Sequence, residues 1–329
     1  MGNGKRISSG KGGRELRRNR LAGICIFVVL SVACVWYYRC YFAGDTRTVS
    51  VHSQDSAKRK TAQASPVGGD VSKETPQPSE TFSGTVSATS EEWRLDYESV
   101  CLPAAAEDDI LIYNAGGRYT INYDTLYRQA AWVAYVLTRG DVTAHKASRR
   151  DRFVPDPQVE ALGYDAVRTS EYRGCGYDRG HLCPSADRTR SQSENDCTFV
   201  MSNISPQSPA LNRGVWKSLE EEVRRWAVRY DTVCVVAGGI LRPGLDTLDG
   251  GIGIPEYFYK TVLLRDGDGL RAAAFIMPNG KNLSGDWRDY AVSVDSLEVF
   301  SSYDFFAALP DEVEAVVESV APDAGGWLN

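Results

Sequence analysis

Short runs rich in aromatic and β-branched residues recur through the last two thirds of the chain. Such runs predict β-strands, because branched and aromatic side chains pack well on a pleated surface. The predicted strands cover residues 110–113, 119–123, 131–137, 198–202, 233–237, 257–264 and 272–277.

Between the fourth and fifth of these runs, apolar residues recur at spacings of three, four and one, which predicts a helix with one apolar face. These residues are Leu211, Val215, Trp216, Leu219, Val223 and Trp226. Pro310 and the acidic residues after it predict the first turn of another helix, within 310–319. Irregular strands with few helices indicate an α+β domain around a mixed or antiparallel sheet.

An uncharged apolar segment occupies residues 21–38, close to the ~20 residues that a helix needs to cross a membrane. Seven Lys and Arg residues precede it, whereas Arg39 alone follows it closely. The positive-inside rule then predicts a basic cytoplasmic N-terminus over 1–20 and export of the rest to the periplasmic or extracellular side. We therefore predict one transmembrane helix, a signal anchor over residues 21–42. A cleaved signal peptide, or lipidation at Cys34, would export the same part of the chain.

Residues 43–95 are rich in Ser, Thr, Gln, Lys and Glu and hold almost no large apolar side chains. A segment of this kind buries too little surface to offset its ordering entropy, so we predict a disordered linker. It would tether a folded domain that spans residues 96–329.

Charge is distributed unevenly over these segments. The predicted domain at 96–329 holds 23 Lys and Arg against 35 Asp and Glu, a net charge of −12. So acidic a body argues against a general polyanion-binding surface. Any nucleic-acid role would therefore need a locally basic cleft.

The densest cluster of chemically useful polar residues is Tyr-Asp-Arg-Gly-His-Leu-Cys-Pro at 177–184. Asp178, Arg179 and His181 lie within four positions, and Gly180 permits close backbone approach, which suits a site that handles an anion. A tight turn with a satisfied histidine is the alternative that these residues alone leave open.

The sequence continues with Phe-Val-Met-Ser-Asn-Ile-Ser-Pro-Gln at 199–207 and Leu-Asn-Arg-Gly-Val-Trp-Lys-Ser-Leu-Glu at 211–220. With the preceding cluster, these segments resemble the DNA/RNA non-specific endonuclease family, which includes secreted bacterial sugar-non-specific nucleases and the endonuclease G group. Tyr-Phe-Tyr-Lys at 257–260 and Met-Pro-Asn at 277–279 extend the resemblance over about residues 97 to 325. It implies a ββα-metal (His-Me finger) catalytic motif.

The resemblance also implies site roles. His181 matches the family's general base, and Asn212 matches the sole protein ligand of a hydrated Mg²⁺, with Mn²⁺ as the alternative metal. Glu220 matches a residue that binds the metal's waters, although a solvated surface carboxylate is the competing interpretation. Arg179 and Arg224 match arginines that stabilise charge on the transition state, and for Arg224 an ion pair with Glu220 competes.

Three further residues match supporting positions. Asp178 is expected to orient the backbone or Arg179, while Asn203 and Gln207 are expected to support the His and Asn positions. His145 lies in a basic loop with Lys146, Arg149 and Arg150, which is expected to attract phosphate.

The cysteines of the predicted domain offer other chemistry. Cys175, Cys183 and Cys197 surround the histidine, but their spacing fits no common zinc knuckle, and no third group supports a Cys183–His181 nucleophile pair. With Cys101 and Cys234 the domain holds five cysteines, so at most two disulfides can form, and their connectivity cannot be deduced.

The resemblance implies a membrane-tethered, Mg²⁺-dependent endonuclease. It would cut DNA and RNA with little sequence or sugar specificity and leave 5′-phosphate ends. The competing hypothesis is a catalytically inactive nucleic-acid-binding or surface-interaction module on the same fold, which the net charge of −12 favours.

Overall fold

A seven-stranded antiparallel sheet lies at the centre of the structure, a computed structural model that describes residues 95–267, 269–283 and 285–320. Across the sheet the strands are β1 (Leu111–Asn114), β2 (Tyr119–Asp124), β3 (Gln129–Thr138), β6 (Thr232–Gly239), β7 (Tyr257–Asp266), β8 (Gly269–Pro278) and β9 (Ala291–Val292). Every neighbouring pair is antiparallel. The predicted α+β class is confirmed, and the sheet is antiparallel rather than mixed.

A separate two-stranded antiparallel sheet contains β4 (Asp178–His181) and β5 (Ile204–Gln207). The α-helices are α1 (Tyr97–Val100), α2 (Arg139–Thr143), α3 (Pro157–Ala161), α4 (Gln192–Cys197), α5 (Trp216–Tyr230), α6 (Val294–Ser301) and α7 (Asp311–Ser319). Short 3₁₀ turns cover Thr169–Tyr172, Ser185–Asp187, Met201–Asn203 and Trp287–Tyr290.

Both faces of the large sheet are covered. Successive side chains of a strand point to opposite faces, and β6 shows the result: Val233 and Val235 belong to the core under α5, whereas Cys234 and Val236 belong to the core under α6 and α7. A strand that is buried on both sides has a continuous apolar sequence. For this reason polar and apolar residues do not alternate along β6.

Helix α5 confirms the predicted amphipathic helix. The apolar residues chosen from the spacing are all buried, including Leu211 and Trp226. The α-helix itself begins only at Trp216, however, because residues Leu211–Val215 form a π-helical turn in which Gly214 leaves the helical region with φ −105° and ψ −118°. The second predicted helix is α7, with Pro310 at its N-cap.

The strand predicted at 198–202 is wrong. Residues Met201–Asn203 form a 3₁₀ turn, and Val200 makes only an isolated bridge with Val154. The run is apolar because it is buried, with Phe199 and Met201 each 1% exposed. Burial in a turn and burial in a strand give the same pattern in so short a segment.

Among the described residues, no helix has the length and apolar character needed to span a membrane. The predicted N-terminus (1–20), signal anchor (21–42) and linker (43–95) lie outside the described residues, except for Leu95. They stay predictions.

Candidate active site

The two-stranded sheet and helix α5 place the candidate site residues together. Asp178 of β4 is paired with Gln207 of β5, and His181 is paired with Ile204. The chain then passes through the π-helical turn that contains Asn212 and enters α5. This strand, strand, helix order agrees with the ββα arrangement that the sequence implies.

His181 lies in an aromatic pocket. Its ring meets Phe199 edge to face, with centroids 4.9 Å apart, and its centroid is 5.6 Å from that of Phe153. The residue is 7% exposed, and its Nε2 atom is buried without a hydrogen-bond partner among the described residues. Burial, reinforced by the positive charges of Arg149 and Arg179, lowers the pKa of His181 to about 3. The imidazole is therefore neutral at pH 7 and able to accept a proton, although the lowered pKa makes it a weaker base than an ordinary histidine.

Two arginines lie on the aromatic walls of this pocket. The guanidinium carbon of Arg179 is 4.3 Å from the ring centroid of Phe153, and that of Arg149 is 5.3 Å from the centroid of Phe199. Arg179 is exposed, and its side chain makes no hydrogen bond or ion pair with any described residue. Its charge is thus available to an anion beside the histidine.

Arg149 comes from the basic loop, and the sequence did not mark it as a residue of the site. It donates a hydrogen bond to Ser185 Oγ at 3.4 Å and forms an exposed ion pair with Asp151. Only folding brings it beside His181, which lies 32 positions further along the chain. His145 of the same loop lies elsewhere, against the C-terminal part of α5, where it lines a pocket with Arg225.

Asp178 fixes the orientation of Asn212. Its Oδ2 atom accepts a hydrogen bond from Asn212 Nδ2 at 3.0 Å, while both carboxylate oxygens accept from Arg213 at 2.6 and 2.7 Å. Because only the amide NH₂ can donate to a carboxylate, this contact leaves the Asn212 carbonyl oxygen without a described partner. The resemblance led us to expect that Asp178 orients the backbone or Arg179, whereas its hydrogen-bond partners among the described residues are Asn212 and Arg213.

Asn203 binds backbone groups around the histidine, whereas Gln207 only packs against the strand that carries it. Asn203 Nδ2 donates to the carbonyls of Cys183 and Thr198, and its Oδ1 accepts from the Cys183 amide, all at 2.9 Å. Gln207 is fully buried against Gly180, where an added Cβ would overlap its side-chain amide. The glycine is therefore needed for close packing of β4 on β5.

A second group of charged residues lies where α5 meets the sheet. Arg224 forms an ion pair with Asp187 at 2.9 Å, and the Tyr135 hydroxyl donates to the same carboxylate at 2.8 Å. The alternative pairing of Arg224 with Glu220 is not observed within ion-pair distance among the described residues. Asp187, in the turn before α4, pairs with Arg224 instead. Leaving this buried carboxylate unpaired would be more unfavourable than leaving the half-buried Glu220 unpaired.

Glu220 lies close to Lys260, a residue 1% exposed whose Nζ atom is 4.5 Å from the Trp216 ring centroid. Desolvation raises the pKa of Glu220 to about 7, opposed by the positive charges of Lys260 and Arg224 and reinforced by Asp187. This brings the pKa of Glu220 into the physiological range. Glu220 is also half-buried, which argues against the interpretation as a fully solvated surface carboxylate.

The five described cysteines have neither the arrangement of a metal site nor the surroundings of a nucleophile. All five described cysteines are free thiols, and no cluster of three Cys, His or carboxylate ligands surrounds His181 in the part of the chain that the structure describes. Burial raises the pKa of Cys183 to about 12, so its reactive thiolate is absent at neutral pH.

Comparison with known proteins identifies relatives over this same region. Residues 104–312 match the model of the family described as DNA/RNA non-specific endonuclease. The chain is 37% identical over 211 residues to a nuclease from Nostoc sp., covering 61% of this chain and 76% of that protein. It is 31% identical over 228 residues to nuclease C1 from Cunninghamella echinulata var. echinulata, covering 63% and 90%.

Mitochondrial endonuclease G from Homo sapiens is 32% identical over 174 residues, covering 49% of this chain and 58% of that protein. A crystal structure of an EndoG/EndoGI complex superposes with a TM-score of 0.57 at 25% sequence identity. That match covers 65% of this chain and 91% of the other. The family match over residues 104–312 contains the strands of the large sheet, the β4–β5 pair and α5.

Proposed function

The chain belongs to the DNA/RNA non-specific endonuclease family, and from this premise we propose that it hydrolyses phosphodiester bonds in DNA and RNA with Mg²⁺ or Mn²⁺, leaving 5′-phosphate ends. It is an endonuclease by its relatives. What we propose is the identity of the metal, the chemical ends of the products and the catalytic roles of individual residues.

The surroundings of His181 are the main support for this proposal. A neutral, enclosed imidazole lies between two arginines at the end of the β-strand that also orients Asn212. Because His181 Nε2 is enclosed, we assign proton acceptance to Nδ1, which makes no hydrogen bond with any described residue. A water placed between this nitrogen and a phosphate would lose its proton to the imidazole as it attacks phosphorus.

The residues around Asn212 fit a hydrated divalent cation. Mg²⁺ prefers oxygen ligands and keeps several waters, so one fixed carbonyl oxygen plus water-binding groups suffices when the substrate phosphate completes the shell. Asn212 would supply that oxygen, and Glu220 would accept hydrogen bonds from the waters. When bound, the metal would polarise the phosphate and stabilise the leaving oxygen.

The net negative charge of the domain would repel a polyanion, and two arginines at the site oppose this repulsion. Arg149 and Arg179 place two positive charges at the histidine pocket, although the domain over 96–329 has a net charge of −12. They would hold the scissile phosphate and stabilise the charge that builds up during attack. Arg224 matches a transition-state arginine of the family, but its guanidinium is paired with Asp187 at 2.9 Å, so we assign it instead to stabilising the charged form of Glu220.

The proposal is tested by cleavage of matched DNA and RNA, as duplexes and as single strands, in MgCl₂ over a salt series. None of the assigned roles needs a 2′-hydroxyl or a base edge, so comparable kcat/KM values are expected on all four substrates. Two phosphate contacts predict about a tenfold loss of kcat/KM between ~50 and ~200 mM salt through counterion release.

Product ends should accept label from polynucleotide kinase only after phosphatase treatment. Direct labelling would contradict the proposed 5′-phosphate ends. A strict requirement for one sugar would show that the cleft makes further contacts with the substrate.

We predict an acid limb in the pH profile that belongs to Glu220. Its carboxyl is faced by Lys260 of β7, Arg224 of α5 and Asp187, and its pKa is about 7. Below that pH it becomes neutral and no longer binds water as a carboxylate, so kcat/KM should fall towards tenfold per unit below pH 7 and level off above it. His181, with a pKa of about 3, does not titrate in this range.

The measurement is kcat/KM from pH 5.5 to 8.5 for the unaltered protein, Glu220→Gln and Glu221→Gln. Glu220→Gln should be less active and lack the limb, whereas Glu221→Gln, on an exposed neighbour, should keep it. A limb that persists unchanged in Glu220→Gln would assign the titration to another group.

A further inference from the structure

Three carboxylates from two helices meet on the sheet face opposite α5. Asp295 and Glu298 lie on α6 and Glu318 lies on α7, and their oxygen atoms all fall within 4.8 Å of one another. Helices α6 and α7 pack through Val294, Leu297 and Val317 on the core that α5 does not contact. The cluster is therefore separate from the His181 pocket.

Glu318 is the residue that makes this cluster unusual. It is only 4% exposed, and its Oε1 atom is buried without a hydrogen-bond partner in the described part of the chain. Its oxygens come within reach of Asp295 and Glu298, so the unpartnered group is directed into the cluster. Burying a polar oxygen in this way is unfavourable unless something binds it.

No described cation neutralises the three carboxylates. Glu298 Oε1 accepts one hydrogen bond, from the Phe305 amide at 2.8 Å, and no Lys or Arg of the described residues is paired with any of the three. Burial and, after it, the negative charges of Glu298, Glu314, Asp295 and Asp304 have the largest effects on Glu318 and raise its pKa to about 9. Like charges crowded in a poorly hydrated place repel strongly.

We propose that Asp295, Glu298 and Glu318 form a binding site for one Ca²⁺ ion. The donors are oxygens only, without a Cys or His, which selects a hard cation over zinc or copper. Ca²⁺ takes 6–8 oxygens at ~2.4 Å, so two ligands of one ion lie at most about 4.8 Å apart, which this cluster satisfies. Three carboxylates can supply up to about six of these oxygens, with water for the rest.

Ca²⁺ suits this geometry better than Mg²⁺. Mg²⁺ demands near-ideal octahedral geometry and is usually held by one or two carboxylates with several waters, whereas Ca²⁺ accepts several carboxylates in flexible arrangements. The bound ion would join residues 295 and 298 of α6 to the last turn of α7 and so fix α7 on the sheet. Glu318 lies beyond residue 312, where the family match ends, so that match does not cover the whole cluster.

The experiment uses the full-length protein in mild detergent, freed of metal with EDTA and dialysed. Thermal unfolding and calorimetric titration are measured with CaCl₂ up to ~10 mM at one pH, on the unaltered chain and on Asn212→Ala, which removes the proposed catalytic metal ligand. Both should bind Ca²⁺ at the cluster, and their Tm should rise by several degrees, because a ligand that binds only the folded state stabilises it.

Glu318→Gln and Glu298→Gln should lose most of that shift and bind Ca²⁺ at the cluster at least ~10-fold more weakly, since each replaces a charged ligand by a neutral one. The matched control is Glu312→Gln, on an exposed position of the same helix, which should keep the full shift. Nuclease activity in Mg²⁺ should be unchanged in Glu318→Gln, which shows that the variant is folded.

Three results would overturn the proposal. The first is an equal Ca²⁺-dependent shift in Glu318→Gln and the unaltered chain. The second is the absence of any shift over the whole CaCl₂ range together with a higher Tm for metal-free Glu318→Gln, which would show that a shared proton occupies the cluster. The third is an equal shift with MgCl₂, which would contradict the calcium assignment.

Discussion

Replacing His181 with alanine is expected to lower kcat/KM by at least ~10²-fold, since the loss of a positioned general base costs about 10²–10⁴. The structure supports this role because the imidazole is neutral, enclosed by Phe153 and Phe199, and flanked by two arginines. The other described histidine, His145, lines a pocket with Arg224 and Arg225 of α5 and is not among the aromatic residues that contact His181. It is therefore not expected to replace the lost base.

The measurement compares His181→Ala with His145→Ala on plasmid DNA and on RNA. His145→Ala should retain activity, because that residue is exposed and outside the proposed machinery. His181 contributes to a packed aromatic cluster, so circular dichroism and Tm must show that His181→Ala is folded. Substantial activity in a folded His181→Ala protein would contradict the assignment.

The helical part of the fold was predictable because its signal is periodic. The spacing from Leu211 to Trp226 marks the buried face of α5, since a helix must place apolar residues on one side to pack on the sheet. What the spacing could not show is the break at Gly214, where a π-helical turn precedes the α-helix. A single residue with unusual φ and ψ leaves no periodic signal.

The catalytic elements were harder to predict from pattern alone. Strand β4 contains Asp, Arg, Gly and His, residues that do not suggest a strand, and it forms because β5 pairs with it. The role of Asn212 came from a family resemblance, whereas its orientation by Asp178, 34 positions away, is visible only after folding. Tertiary contact decides such geometry, and local composition does not encode it.

The ion-pair partner of Arg224 also could not be predicted from the sequence. The i, i+4 rule indicated Glu220, but the Arg224 guanidinium pairs with Asp187, which is buried and 37 positions away. Local rules describe isolated helices, in which no buried carboxylate competes. Glu220 then faces Lys260, which comes from strand β7.

Chelation is expected to abolish cleavage, and Asn212→Ala is expected to raise the Mg²⁺ concentration that gives half-maximal activity by at least ~10-fold. Loss of even a group that only orients a metal ligand typically costs about 10–100-fold in metal affinity. Asn212 is the proposed ligand itself, so its loss should be no milder. Its carbonyl oxygen is available because Asp178 holds the amide nitrogen at 3.0 Å.

Arg213→Ala is the matched control. Arg213 binds the same Asp178 carboxylate through two hydrogen bonds, yet its side chain is 71% exposed and contributes no oxygen to a metal. Removing it disturbs Asp178 but leaves the contact of Asp178 with Asn212, so the Mg²⁺ dependence should change far less than in Asn212→Ala. The measurement is initial rate against MgCl₂ concentration after EDTA treatment and dialysis, for the unaltered protein and both variants.

The comparison separates loss of a ligand from disturbance of the carboxylate behind it. If both variants weaken the Mg²⁺ dependence equally, the important group is Asp178, and Asn212 is not the anchor. If cleavage continues in excess EDTA, the arginines and His181 act without a divalent cation. A shift confined to Asn212→Ala would place the ion on the carbonyl oxygen that Asp178 orients, because that oxygen is the only potential metal ligand that the variant removes from the site.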